Sequence, residues 1–76
     1  MTGVIAVFSS RTESVYFYNK LKEQGVNCIL VNTPAAARIG CGISVKIPLV
    51  SVPLAKRMLA QGRFNGFRGF VDGNSR

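Results

Sequence analysis

The sequence predicts an α+β domain of the split βαβ plan, and three observations carry that prediction. Its segments alternate in the order strand, helix, strand, strand, helix, strand. Both helix-spaced segments run into a glycine, and 47% of the 76 residues are apolar and spread along the whole length. In this ferredoxin-like βαββαβ arrangement two helices cover one face of a four-stranded antiparallel sheet, with the first and third strands central. A chain this short supports one core, so a single domain is expected over residues 1–71, with a frayed polar tail over 72–76.

Residues 3–8 form a continuous run rich in Val and Ile, as a central strand requires. Ser10-Arg11-Thr12-Glu13 then has capping-box spacing, with Ser10 placed to cap the third helical N–H and Glu13 to reach back to Ser10. Helical spacing through Gln24 gathers Ser14, Phe17, Tyr18 and Leu21 on one side and Asn19, Lys20 and Glu23 on the other, and Gly25 supplies a left-handed stop. Residues 26–31 read as the second strand, and residues 43–47 alternate as a half-buried third that Pro48 closes. A second helix is expected from Val52 or Pro53 to Gln61, with Leu54, Ala55, Met58 and Leu59 inward, Lys56 and Arg57 outward, and Gly62 as its end. Residues 67–71 make the last strand. Val4, Ala6 and Phe8 point to one side of the first strand and Ile5 and Val7 to the other, so both sheet faces are apolar there. A homodimer through the open face, or through the edge of the fourth strand, is the expected way to cover the second one.

Composition removes much chemistry. The chain has no His, which excludes Ser-His and Cys-His catalysis and every imidazole metal site. Its two cysteines lack C-x-x-C spacing and cannot complete a four-ligand metal site, so neither metal nor cofactor is expected, nor an enzyme. The first eight residues show no signal-peptide pattern and no apolar run reaches the roughly 20 residues of a membrane span, so the reading is a cytoplasmic protein with reduced thiols and no membrane contact. Ten Lys and Arg against three acidic residues give a formal charge of +7. Because the cations are scattered, nucleic-acid binding is expected to be weak and sequence-independent at most.

One candidate for chemistry remains. Cys41 stands in Gly40-Cys41-Gly42, where flanking glycines allow close approach to the sulfur. The predicted topology sets the start of the third strand beside the end of the first, which brings Cys41 toward Ser9, Ser10 and Arg11. The fourth strand starts at the same end and adds Arg63 and Asn65. A short turn over residues 34–38, capped by Thr33 and ended at Gly40, would present the thiol. The N-terminus of the first helix together with Arg11, Arg38 and Arg63 would then favour a thiolate. The alternative role of Cys41 is a small residue at a tight strand entry. Cys28 lies mid-strand between Val26 and Leu30 and reads as an inert core thiol. Glu13 has a sufficient role in the helix cap and is not needed as a base.

The string formed by Phe8-Ser9-Ser10, a helix, Gly25-Val26, the Pro34 loop and Cys41-Gly42-Ile43-Ser44-Val45 resembles the small bacterial selenium/sulfur carrier-like proteins, over residues 4–70. The resemblance implies a single cytoplasmic domain whose cysteine carries sulfur or selenium as a persulfide or selenosulfide, and Cys41 is the one residue transferred on that basis. Donor and acceptor proteins are then the implied partners. Two other readings compete. An RNA-binding domain shares the element order, and Arg68-Gly69-Phe70-Val71 matches a fragment of its signature, with Arg63, Phe67, Arg68 and Phe70 as the residues it would use. That signature belongs on the third strand, where this chain offers Ile43, Val45 and Ile47 and no aromatic residue. The other is a non-catalytic interaction or regulatory module.

Overall fold

The computed structural model describes residues 3–33, 42–62 and 64–72. Its elements are strand β1 (Gly3–Phe8), helix α1 (Arg11–Glu23), strands β2 (Ile29–Asn32) and β3 (Ile43–Pro48), a 3-10 turn (Leu49–Ser51), helix α2 (Val52–Gln61) and strand β4 (Phe67–Asp72). The sheet has the order β2-β3-β1-β4 with every pair antiparallel, so β1 and β3 are central as the split βαβ plan demands. The α+β ferredoxin-like arrangement read from the sequence is the one the chain adopts.

Local chemistry sets the element ends. Ser10 is extended and its Oγ accepts from the Glu13 N–H at 3.4 Å, which starts α1. At the other end, Gln24, Gly25 and Val26 donate to the carbonyls of Leu21, Lys22 and Leu21, with Gly25 at φ +81. That cap shortens β2. Val26 spends its N–H on α1, so the strand begins at Ile29, although the alternating pattern starts at Val26. The 3-10 turn between β3 and α2 has no counterpart in the sequence reading. α2 itself keeps its expected span, and its stop at Gly62 is extended (φ −91, ψ 176).

The core lies between the sheet and the helices. Ala6 and Phe8 from β1, Val45 and Ile47 from β3, Phe17 and Leu21 from α1, Ala55 from α2, and Val26 and Cys28 ahead of β2 are all buried in it. Phe8 is its centre, with ring centroids 5.3 Å from Phe17, 5.7 Å from Phe64 and 5.3 Å from Phe67. Leu54, Met58 and Leu59 pack on this cluster from α2, matching the predicted inward face. On the other side of the sheet Ile5 and Val7 are also buried, as is Ser44.

Phe8→Ala should therefore cost about 3–5 kcal/mol, a large share of the roughly 5–10 kcal/mol typical of so small a domain. Urea titration followed by circular dichroism should show the variant largely unfolded or with a greatly lowered midpoint; a midpoint near that of the parent would show that the ring cluster is not the core's keystone.

Candidate functional site

The end of the sheet at which α1 begins is built from three crossings of the chain. β1 pairs with β3 up to Val7 opposite Ser44, and two residues further along each strand stand Ser9 and Gly42. From α1, the buried Ser14 donates its hydroxyl to the Ile43 carbonyl at 2.9 Å, tying the first turn of the helix to the first residue of β3. The turn before β4 closes from the other side. The Ser9 N–H donates to the Gly66 carbonyl at 2.6 Å, and the Gly66 N–H donates to Glu13 Oε1 at 2.8 Å. A Cβ on Gly66 would stand 2.6 Å from Ser9 Oγ and 3.0 Å from Glu13 Oε1, so only glycine permits this approach.

Glu13 therefore does not complete the capping box. Its carboxylate is committed to the Gly66 amide, a partner 53 residues away that spacing along the chain could not reveal. The Asn65-Gly66 pair, a turn signal in the sequence, was the available clue to the residue itself.

β2 and β3 leave this same end. Thr33 donates its N–H to the Gly42 carbonyl at 3.0 Å, and the Thr33 and Ser44 hydroxyls lie 2.7 Å apart, so the two strands are clasped on either side of the connecting segment. Gly42 is exposed at φ +91, a conformation that other residues avoid. Of the residues expected at the site, Ser9, Ser10, Arg11 and Gly42 fall within this region. Ser10 acts as the helix cap, and Arg11 is exposed at the first position of α1, along an outer surface shared with Thr12, Val15, Tyr16 and Asn19. Cys41, Arg38, Gly40 and Arg63, with the turn expected over 34–38, lie outside the described residues.

Cys28 is a free thiol, fully buried, with its Sγ 3.7 Å from the Tyr18 carbonyl. Burial pushes its pKa above the ordinary 9.0, and Lys22 opposes that shift through its charge. A thiol so placed is a poor nucleophile. Phe67 and Phe70, the rings that base stacking would need, pack against the core, with Phe67 beside Phe8. Among the described residues no group of His, Cys, Asp and Glu could hold a metal ion, and no helix is long and apolar enough to cross a membrane.

Comparison with known proteins adds one finding. A family model described as "Putative Se/S carrier protein-like" matches residues 3–66, a span that takes in the whole site through Gly66 and stops just before β4. No curated protein and no solved structure matches the chain.

Two measurements check this description. Glu13→Ala removes a charge-assisted bond to a buried amide and should cost about 1.5 kcal/mol, which lowers Tm by roughly 6–12 °C in a domain of this size; Glu13→Gln, which keeps an acceptor, should lose less. The second concerns Cys28, whose folded pKa is raised. Above pH 9.0 the unfolded chain releases this proton while the folded chain holds it, so the stabilisation is complete below pH 9.0 and is lost as pH climbs through the raised value. Denaturation of Cys28→Ala between about pH 8 and 10.5 should show a shallower decline than the parent; parallel curves would mean that the thiol is not held neutral.

Proposed function

Because the chain belongs to the Se/S carrier protein-like family, we propose that it is a small cytoplasmic thiol carrier, and that Cys41 holds the transferred sulfur or selenium. The family match carries the reading, since it runs through the Gly40-Cys41-Gly42 segment. Two further points support it. Cys28, the other cysteine, is sealed in the core with a raised pKa and has no route to a partner. Gly42, the residue after Cys41, precedes Ile43, whose carbonyl is bonded to Ser14 in the first turn of α1, where N–H groups and a partial positive charge favour an anion.

The transfer is an exchange that needs no oxidant. The Cys41 thiolate attacks the outer sulfur of a donor persulfide, an S–S bond forms to Cys41 as the donor's S–S bond breaks, and the donor leaves as a thiolate. Cys41 then bears the persulfide and passes its outer atom to an acceptor nucleophile in the same way. A selenium atom in the outer position follows the same path. No general base has to cycle protons, which suits a chain without His whose Glu13 is already committed. The role is that of a carrier between a donor and an acceptor protein, and the chain itself catalyses no turnover.

Incubation with a low-molecular-weight persulfide, followed by intact-mass analysis, tests this. The parent and Cys28→Ala should each gain the mass of one sulfur atom that thiols remove, and Cys41→Ser should gain none. Alkylation at pH 7 should be at least about tenfold faster at Cys41 than at Cys28 in the folded protein. Equal loading of Cys41→Ser, or equal slow alkylation of both thiols, would overturn the assignment.

A further inference from the structure

A sheet edge offers backbone N–H and C=O groups to any passing chain, and folded proteins guard their edges with charges, prolines or bulges. The two edges of this sheet differ. β4 carries Arg68, meets β1 across a register shift between Val7 and Phe8, and holds Gly69 at φ +127, all of which disturb the flat ladder that another strand would need. Among the described residues β2 has no such guard. Ile29, Leu30, Val31 and Asn32 include no charge, proline or glycine, and their pairing with β3 is unbroken from Ile29 opposite Lys46 to Asn32 opposite Ile43. Ile29 and Leu30 stand 46% and 40% exposed.

The orientation of the edge follows from one hydrogen bond. The Thr33 N–H is directed at Gly42 on the β3 side, and backbone groups alternate along an antiparallel ladder. Thr33, Val31 and Ile29 therefore turn their N–H and C=O toward β3, while Leu30 and Asn32 turn theirs outward. The outward set is two donors and two acceptors in register, enough to seat a short strand.

Charge and size decide the occupant. A second copy would bring together two chains of formal charge +7, and a four-residue edge buries far less than the roughly 1,200 Å² that a stable dimer needs. An acidic segment meets no such repulsion and has counter-charges waiting. Lys46 projects beside Ile29 on the helix-free face, and Lys22 lies close enough to Cys28, just ahead of β2, to influence its thiol. Among the described residues the one ion pair is Lys20 with Glu23 at 3.5 Å, so Lys22 and Lys46 have no acidic partner there. An added strand would lie two strand spacings, about 10 Å, from β3, within the combined reach of a lysine and a glutamate side chain.

We propose that the outer edge of β2 takes up an extended acidic segment of a partner protein as a fifth strand. The segment pairs with the outward backbone groups of Leu30 and Asn32, sets apolar side chains beside Ile29 and Leu30, and directs carboxylates toward Lys22 and Lys46. This surface does not depend on the chemistry of Cys41.

The test pans a displayed library of random peptides of about ten residues against the folded protein at low salt, then titrates the synthesised winners into the ¹⁵N-labelled protein. Winners should combine β-branched residues with Asp or Glu, with a carboxylate on each face of the strand, and binding should slow amide exchange at Leu30 and Asn32 while leaving Ile29 and Val31 as they were. Affinity should fall about tenfold or more on Leu30→Glu, which keeps the backbone groups and adds repulsion, and on Asn32→Pro, which deletes one outward donor; the spectrum of each variant reports whether it is folded. Raising salt from about 0.05 to 0.3 M should weaken binding several-fold. Winners without acidic residues, no enrichment at all, or shifts centred on the helices and not on β2 would overturn the proposal. So would a folded Leu30→Glu variant that binds as the parent does. Slow exchange at Leu30 and Asn32 without peptide, in a protein that sediments as a dimer, would assign the edge to a second copy instead.

Discussion

The closure of Gly66 onto Ser9 and Glu13 is the constraint from which the rest of the molecule can be read. One glycine gives its carbonyl to the end of β1 and its N–H to a carboxylate on the first turn of α1, at 2.6 and 2.8 Å. It can do so only because it has no Cβ. β1, α1 and β4 are thereby locked at one end of the sheet, and the Ser14 bond to the Ile43 carbonyl adds β3. In a domain of 76 residues the core is small, and such directional ties do what extra buried area would do in a larger one. They also align the faces that meet at Phe8, whose ring touches others from α1, from the turn before β4 and from β4 itself.

That arrangement divides the chemistry of the chain. Aromatic residues are drawn to the helical side of the sheet, where Phe67 and Phe70 fill space beside Phe8 and Ala6 and are not presented for stacking. Cys28 is drawn into the same interior, and desolvation keeps its proton on. The strands that flank the segment bearing the remaining cysteine are instead clasped at Thr33 and Gly42, and the Ser14 hydroxyl ties the first turn of α1 to Ile43 beside them.

The edges follow the same division. β4 carries a register shift and Gly69 at positive φ, whereas β2 pairs without interruption from Ile29 to Asn32. A partner strand laid on β2 would therefore end next to the segment that leads to Cys41. Net positive charge makes acidic partners the natural ones, and the same charge opposes stacking of the chain on itself.

Much of this was legible in the sequence because the signals are local. Element order, the Ser10 cap, the Gly25 stop and the inward face of α2 all depend on spacings of a few residues, and each took its expected place. The central position of β1 and β3 followed from the plan itself. Signals at element ends were weaker where two structures compete for one group, as when Val26 gives its N–H to α1 and β2 starts late. Tertiary structure alone decided the rest. Glu13 looked like half of a capping box until Gly66 arrived from across the molecule with an unpaired amide, and β2 became the unguarded edge only once strand order and ladder parity turned Leu30 and Asn32 outward. Sequence spacing determines what a residue can do with near neighbours, but partners dozens of positions away are chosen by where the sheet brings them, and that depends on every element at once.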